Sequence, residues 1–330
     1  MRLAASSALL LACLFSFVCA LSIGAVQVDF YDVWLALWSY DNSQLAQKIV
    51  IELRLPRTIL AFLAGAGLAT AGLILQTVTR NPLADPYLFG ISSGASFGVV
   101  LLLTLFGVQS ALAMSGAALL GSIGAMSLLL LIAYHKGTAQ IENMLLAGVA
   151  LSFLFNAFTS LLLYWSDPQA VTAIIFWSLG SFSRADWVWM WLPAVVVLSG
   201  IMTVVCFRRH LNALLLGDES AVTLGVNVHR LRLGMLLVSS LITAVLVAAC
   251  GGVGFVGLMI PHIVRFFISQ ARVLGMLVTA LSGGLLMLWV DVLARIIIEN
   301  QELPIGVITA AIGSVFFLSL LMFRKRAASI

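Results

Sequence analysis

Residues 119–134 read LLGSIGAMSLLLLIAY, a run without a single charged side chain. Its apolar residues are continuous rather than alternating with polar ones. A continuous run is typical of a helix surrounded by lipid, whereas a strand of a membrane barrel alternates. Runs of this kind recur along the whole chain, so the sequence predicts a bundle of transmembrane helices.

The composition of the chain leads to the same class. Of the 330 residues, 62% are hydrophobic and 9% are charged, and the mean hydropathy is +1.14. A soluble domain uses about 25% charged residues, so most of this surface must face lipid. At about 20 residues per span, we predict an all-α polytopic membrane protein with about ten transmembrane helices. The predicted spans are 3–26, 58–79, 91–107, 111–134, 141–164, 187–207, 233–250, 253–268, 273–296 and 304–323.

The charged residues between the spans predict the orientation. Basic residues gather in alternate connections, for example at Arg80, Arg208, Arg209 and Arg230, while the connection 27–57 is rich in acidic residues. Basic loops tend to stay in the cytoplasm, so both termini are predicted to be cytoplasmic. The first span could instead be a cleaved signal peptide, but its removal would leave an odd number of spans.

Several function classes are disfavoured by the residue patterns. The four cysteines stand singly inside apolar runs, without the paired spacing of a metal or redox site, and scattered basic residues argue against nucleic acid. The sequence has no Walker A loop, so any ATP hydrolysis would belong to another chain. We expect no enzyme activity, metal site or cofactor in this chain. A proton-coupled secondary carrier is an alternative, but Asp291 is better explained as an ion pair with Arg295, four residues later.

Five motifs carry more information than the composition does. They are RLPR at 54–57, QTVTRNPLADP at 76–86, GISSGA at 90–95, GFVGLMIPHIVR at 254–265 and ELPIGV at 302–307. In this order, and over roughly residues 50–323, the sequence closely resembles the FecCD-type permeases. These proteins are the membrane subunits of ABC importers for ferric siderophores, haem and vitamin B12.

The resemblance implies a vitamin B12 importer-like permease fold, a single transmembrane domain over residues 1–330, in the bacterial inner membrane. It also implies a second permease subunit, expected to be a copy of this chain, and two cytoplasmic ATP-binding subunits that hold ATP and Mg. A periplasmic substrate-binding protein would deliver the cargo. We expect that cargo to be a ferric siderophore or haem, imported by alternating access, with vitamin B12 or another cargo as the alternative.

Three arginines are candidates for contact with the binding protein. Arg54 and Arg57 lie at the predicted outer end of the second span, and Arg295 lies near the outer end of the ninth. An isolated arginine at such a depth can simply reach towards lipid headgroups. The resemblance implies instead that these three receive carboxylates of the binding protein, a pairing that fixes register.

The inner connection at about 212–228 is the candidate for coupling to the ATPase. Glycines bracket a polar start and an apolar patch, a pattern that predicts a short helix with Asp218 and Glu219 at its favourable amino end. By resemblance this segment fits a groove on the ATPase. The residues expected to take part are Leu216, Gly217, Asp218, Glu219, Ala221, Leu224 and Gly225.

Two further features concern the translocation path. Asn156 is a polar residue within a span and is the candidate for lining the pore, although polar residues also serve helix packing. The stretch at about 168–182 reads as a short outer helix, which by resemblance lies at the outer vestibule. His262 and Arg265 are expected to contact neighbouring helices rather than a metal, since a metal would need partner ligands.

Overall fold

The computed structural model describes residues 2–24, 26–108, 110–135, 141–299 and 301–327. Apart from one isolated bridge between Ile298 and Gln301, the regular structure of these residues is helical. The α-helices are α1 (Arg2–Ser22), α2 (Phe30–Trp38), α3 (Leu45–Lys48), α4 (Leu55–Thr79), α5 (Ile91–Phe106), α6 (Ala111–His135), α7 (Ile141–Tyr164), α8 (Pro168–Ser178), α9 (Trp187–Cys206), α10 (Arg208–Leu215), α11 (Asp218–Thr223), α12 (Val228–Cys250), α13 (Val256–Phe267), α14 (Val273–Ile296) and α15 (Ile305–Ala327). A π-helical turn, Ile49–Arg54, leads into α4, and a 3-10 turn, Pro86–Phe89, precedes α5.

The apolar helices lie near the positions of the predicted spans. Among the described residues, seven helices are long and apolar enough to cross a membrane, and three shorter apolar helices lie in α1, α5 and α13. The prediction of an all-α polytopic membrane protein is confirmed. The boundaries differ by several residues at α12, which begins at Val228 rather than at 233, and at α1, which ends at Ser22 rather than at 26.

Helix α13 is shorter than the span predicted at 253–268. Its 12 residues extend for only about 18 Å at 1.5 Å per residue, less than the thickness of a bilayer core. The cause lies in the glycine-rich stretch 251–254 and in Phe255, which takes a left-handed conformation with φ 69°. The chain therefore turns inside the bundle after α12, and α13 begins only at Val256.

Helix α4 forms the centre of the bundle. All its residues except Leu55, Ile59 and Phe62 are buried, because α9, α12, α13 and α14 surround it. Side-chain contacts show that α4 runs antiparallel to two of these helices. Ser239 of α12 bonds to the carbonyl of Ala71, and Asp291 of α14 bonds to Arg57.

Glycines allow the helices around α4 to approach closely. A Cβ atom at Gly65 would lie 2.0 Å from the carbonyl oxygen of Gly283 in α14. A Cβ atom at Gly72 would lie 1.8 Å from the carbonyl oxygen of Gly257 in α13. Backbones in contact of this kind are how membrane helices gain packing energy without a hydrophobic driving force.

The broken ends of three helices satisfy one another's backbone groups. The amide of Ser181, just after α8, donates to Cys250 at the end of α12. The amides of Ile305 and Gly306, at the start of α15, donate to Gly180 and Leu179. Interrupted helices are tolerated inside a membrane protein when their free backbone groups find partners in this way.

Candidate functional site

The two ends of the bundle each carry a group of candidate residues. The outer end, named for the predicted orientation, holds α2, the start of α4 and the end of α14. The inner end holds α10 and α11, whose Asp218 contacts Arg80 at the end of α4. The predicted docking and coupling residues therefore lie at opposite ends of the same central helix.

A buried carboxylate organises the outer end. Arg57 Nε donates to Asp291 Oδ1 over 2.8 Å, and Arg57 Nη1 donates to Glu302 Oε1 over 2.5 Å. Arg295 Nη2 lies 3.0 Å from Asp291 Oδ2, so the predicted ion pair between Asp291 and Arg295 is confirmed. Asp291 is only 1% exposed and pairs with two guanidinium groups at once, while Glu302 supplies a second negative charge. The spacing along the sequence did not indicate the contact between Asp291 and Arg57.

The other guanidinium contacts at the outer end close the carboxyl end of α1. Arg54 Nη1 donates over 2.7 Å to the carbonyls of both Leu21 and Ser22, and its Nη2 donates to Val26. Arg295 donates over 3.1 Å to the carbonyls of Ala20 and Ile23. The carbonyls of Ala20, Leu21 and Ser22 belong to the last turn of α1, where no backbone partner follows, and the other two lie in the connection after it.

The structure thus brings the three predicted docking arginines together, but it gives each of them internal partners. Arg54, Arg57 and Arg295 are all buried. Glu302 is the exposed member of the group, since 46% of its side chain is accessible. The docking role of the arginines stays a prediction, and a structural role in joining α1, α4 and α14 is added to it.

The predicted coupling segment consists of two short helices, α10 and α11, rather than one. Gly217 and Gly225 set the bends on either side of α11, with φ values of 111° and 81°. Ala221 is fully buried, whereas Leu216 and Leu224 are 67% and 63% exposed. The two leucines, together with Leu215 and Val222, therefore form an exposed apolar surface at the inner end.

One carboxylate ties this segment to the membrane helices. Asp218 Oδ1 accepts a hydrogen bond from Arg80 Nη2 over 2.6 Å and another from Arg232 Nη2 over 3.1 Å. Arg80 closes the carboxyl end of α4, and Arg232 lies in the first turns of α12. Asp218 therefore connects α11 with two membrane helices. Glu219 is exposed on the same short helix.

A polar network holds the short helix α13 against α4. Gln76 Nε2 donates over 3.2 Å to the carbonyls of Gly257 and Leu258, and Gln76 Oε1 accepts from Arg265 over 2.8 Å. Arg265 also donates to Gln270. A cavity of about 590 Å³, reached by Arg80 and Arg265, opens beside this network. His262 packs against Phe266 and the aromatic residues of α15, as expected for a contact between neighbouring helices.

The connection between α4 and α5 contains two buried titratable groups. Asp85 Oδ1 accepts a hydrogen bond from the amide of Tyr87, and burial raises the pKa of Asp85 to about 6. The hydroxyl oxygen of Tyr87 accepts a hydrogen bond from the amide of Val253 in the interrupted segment, and burial raises the pKa of Tyr87. No pattern in the sequence indicates this contact, because it joins two glycine- and proline-rich segments that are far apart in the chain.

Asn156 is exposed on α7, and neighbouring positions on that helix, such as Phe153 and Leu154, are exposed as well. The pore-lining role of Asn156 stays a prediction. The predicted outer helix at about 168–182 is α8, which ends at Ser178.

The chain was compared with known proteins. A family model described as the FecCD transport family matches residues 10–323. The hemin transport system permease protein HmuU of Yersinia pestis is 35% identical over 93% of this chain and 92% of its own length. The vitamin B12 import system permease protein BtuC of Vibrio cholerae is 36% identical over 88% of this chain and 87% of its own.

A solved structure, described as an inward-facing conformation of a metal-chelate type ABC transporter, has the same fold. Its TM-score is 0.84 at 31% identity, and the match covers 98% of this chain and 99% of that chain. The resemblance seen in five motifs extends over nearly the whole sequence and its three-dimensional arrangement. The chain belongs to the FecCD transport family.

Proposed function

We propose that the chain is the translocation subunit of an ABC importer that moves an iron chelate, a ferric siderophore or haem, into the cytoplasm. The observation that carries the proposal is the match to the FecCD transport family over residues 10–323. Relatives named for hemin, ferric citrate and iron hydroxamate support the iron chelate. Relatives named for vitamin B12 support cobalamin as the second candidate.

The proposed assembly contains two permease subunits, two ATP-binding subunits that hold ATP and Mg, and a periplasmic binding protein. We expect the second permease to be a copy of this chain, with both termini in the cytoplasm of a bacterial cell. Largely exposed faces on α7 and α15 support a further membrane subunit. Asn156 would face the path between the two copies.

At the inner end, the apolar surface of Leu215, Leu216, Val222 and Leu224 supports docking of the ATP-binding subunit. Apolar side chains in a water-exposed loop favour a protein partner, because a patch of this kind is otherwise unfavourable in water. Asp218 would carry the movement of the ATPase to α4 and α12 through its two arginine partners. Gly217 and Gly225 would preserve the bends that present α11.

At the outer end, Arg57 would exchange Glu302 for a carboxylate of the binding protein. Glu302 is the partner that solvent reaches, so it is the one that an incoming carboxylate can displace. Replacing Glu302 by Gln should strengthen binding of the binding protein, while Glu299→Gln, a change at an exposed neighbouring position, should leave it unchanged. Equal affinities for wild type and Glu302→Gln would remove Arg57 from the docking surface.

The function itself is tested by purification and transport. We expect the tagged chain, extracted from its host in mild detergent, to retain an ATP-binding subunit. Proteoliposomes of that complex with the matching binding protein should take up iron-loaded siderophore or haem only when ATP is present on the cytoplasmic side. Uptake of cobalamin but not of iron chelates would select the second candidate. Transport driven by a proton gradient without ATP would contradict the importer.

A further inference from the structure

Helix α2, in the outer connection, carries an apolar face that no other described part of the chain covers. The face consists of Phe30, Tyr31, Trp34, Leu37 and Trp38, which are between 44% and 73% exposed. These positions follow the spacing i, i+1, i+4, i+7 and i+8, so they share one side of a helix. The rings of Trp34 and Trp38 lie 5.5 Å apart and form one continuous aromatic surface.

The opposite side of α2 fixes the direction of this face. Val33 and Ala36 are buried and belong to a small core with Leu21 of α1 and Val50 of the π-helical turn. Because these contacts anchor the inward side of α2, the aromatic side must point away from the bundle. From the sequence, this stretch is predicted only as part of the outer connection 27–57.

The exposed apolar surface of α1, a membrane helix, indicates what covers the aromatic face of α2. Helix α1 ends eight residues before α2, and its exposed positions Leu10, Leu11, Leu14, Phe15 and Val18 form an apolar stripe. A stripe of this composition on a membrane helix faces lipid acyl chains. The aromatic face of α2 lies at the outer end of this same helix.

The tryptophans of other helices mark the same level of the membrane. Trp165 lies just after α7, and Trp187, Trp189 and Trp191 lie in the first turns of α9, all of them exposed. Trp187 Nε1 donates over 3.0 Å to the carbonyl of Ile51, a residue packed against the small core beneath α2. Exposed tryptophan and tyrosine residues are enriched at the boundary between acyl chains and headgroups.

We propose that α2 is an interfacial anchor, which inserts its aromatic face among the lipids of the outer leaflet. The occupant of this face is phospholipid and not a protein. A helix of this kind lies in the plane of the interface and buries its apolar side by about 5–10 Å. Asp29 and Asp32 sit outside the aromatic face and remain towards water and headgroups.

The anchor has a consequence for the outer end of the bundle. Arg54 donates hydrogen bonds to the carbonyls of Ser22 and Val26, which lie at the end of α1 and in the turn between α1 and α2. Lipid that holds α2 therefore also holds the turn that accepts these hydrogen bonds from Arg54. This consequence goes beyond the transport function and does not depend on the identity of the cargo.

The test is lipid-specific quenching of tryptophan fluorescence in the full-length protein, reconstituted in phosphatidylcholine vesicles. One set of vesicles carries bromine near the headgroup end of the acyl chains, and aqueous iodide is the second quencher. In the wild type, the fluorescence of Trp34 and Trp38 should be quenched by brominated lipid but not by iodide. The double variant Trp34→Phe, Trp38→Phe should lack this component of the fluorescence. Trp177→Phe is the control, because Trp177 is buried and its loss should remove fluorescence that neither agent quenches.

Other outcomes overturn the proposal. If the fluorescence lost in the double variant is quenched by iodide and not by brominated lipid, α2 faces water. If the binding protein shields it from iodide, the occupant is a protein. Should the double variant fail to assemble, Trp34→Tyr and Trp38→Tyr, exchanged singly, give the same comparison. The measurement needs no ATPase and no cargo, so its failure would leave the transport proposal untouched.

Discussion

Asp291 is the buried carboxylate that pairs with two buried guanidinium groups, of which Arg57 has a second, more exposed partner in Glu302. It lies between Arg57 and Arg295, at 2.8 and 3.0 Å, and all three side chains are nearly inaccessible to solvent. Removing one partner of a buried ion pair is far more damaging than replacing the whole pair, because a charge is then left in a medium of low dielectric. The stability of the outer end therefore depends on this carboxylate.

We predict that Asp291→Asn lowers the free energy of unfolding by about 3–5 kcal/mol. The matched control is Glu302→Gln, which also removes a carboxylate from Arg57. Glu302 is half-exposed, so its loss should change stability by no more than about 1 kcal/mol. Thermal unfolding of the purified variants in one detergent makes the comparison. Equal destabilisation by the two changes would mean that Asp291 has no special role.

The raised pKa of the buried Asp85 predicts that the stability of the protein depends on pH. Its pKa rises from the ordinary value of 3.8 to about 6 because the folded chain buries the carboxyl group. Because the pKa of Asp85 is higher in the folded state than in the unfolded state, the folded state binds the proton more tightly. The stabilisation that protonation of Asp85 gives is complete below pH 3.8 and is lost as the pH rises through 6. At pH 7, where the buried carboxyl group is ionised, the free energy of unfolding is lower by about 3 kcal/mol.

Asp85→Asn should remove this part of the pH dependence, and it keeps an oxygen that accepts the hydrogen bond from Tyr87. We expect the variant to be more stable than wild type at pH 7.5, and the difference to shrink towards pH 5. Asp41→Asn is the control. Hydrogen bonds from Ser43 lower the pKa of Asp41 in the exposed outer connection, so its titration lies below the range tested. Identical melting profiles for wild type and Asp85→Asn would contradict the burial effect.

At the scale of the helix, α4 depends on the absence of side chains at its contact points. Gly72 faces the backbone of Gly257, which cannot move aside as a side chain could. We predict that Gly72→Ala separates α4 from α13 and lowers stability by about 3 kcal/mol, at the upper end of overpacking effects. Folded yield and melting temperature in detergent are the measurements.

Gly124→Ala is the matched control for this change. Gly124 lies within α6, and nothing stands within 4 Å of the position a Cβ would take. The same substitution should there be neutral or stabilising by up to about 1 kcal/mol, because alanine favours the helix. If both variants melt alike, the close approach of α4 and α13 does not contribute to stability.

The helices could be located from the sequence because each long apolar run has the length that a bilayer requires. The interruptions could not be placed in the same way. The start of α13 depends on a left-handed residue, Phe255, and on two hydrogen bonds that join segments far apart in the chain. The amide of Val253 donates to the hydroxyl of Tyr87, and Gln76 donates to the carbonyl of Gly257. Helix α2 was missed because nine residues are too few to span. The spacing of its aromatic residues was the available signal.

For the whole molecule, the sequence identified residues but not their partners. The motif around Arg54 and Arg57 pointed to the outer end, and the motif at 302–307 contained the partner, Glu302. No spacing rule connects positions 245 residues apart. The coupling segment was located with its glycines, yet its connections through Arg80 and Arg232 follow from tertiary packing alone.

At the inner end, Asp218 forms ion pairs with Arg80, at the end of α4, and with Arg232 of α12. If α11 transmits the movement of an ATPase, as we propose, these two ion pairs connect it to the membrane helices. An amide at this position keeps an acceptor oxygen but loses the negative charge that attracts both guanidinium groups. We predict that Asp218→Asn leaves ATP hydrolysis by the assembled importer largely intact and lowers cargo uptake per ATP by about fivefold or more, the scale of typical coupling energies.

Glu219→Gln, the removal of a neighbouring exposed carboxylate on the same helix, should leave that ratio unchanged. Both variants are compared with wild type in proteoliposomes, with hydrolysis and uptake measured on the same preparation. A proportional fall in hydrolysis and uptake would indicate that Asp218 supports docking of the ATPase rather than transmission. An unchanged ratio in Asp218→Asn would mean that α11 moves α4 and α12 through packing of the buried Ala221 instead.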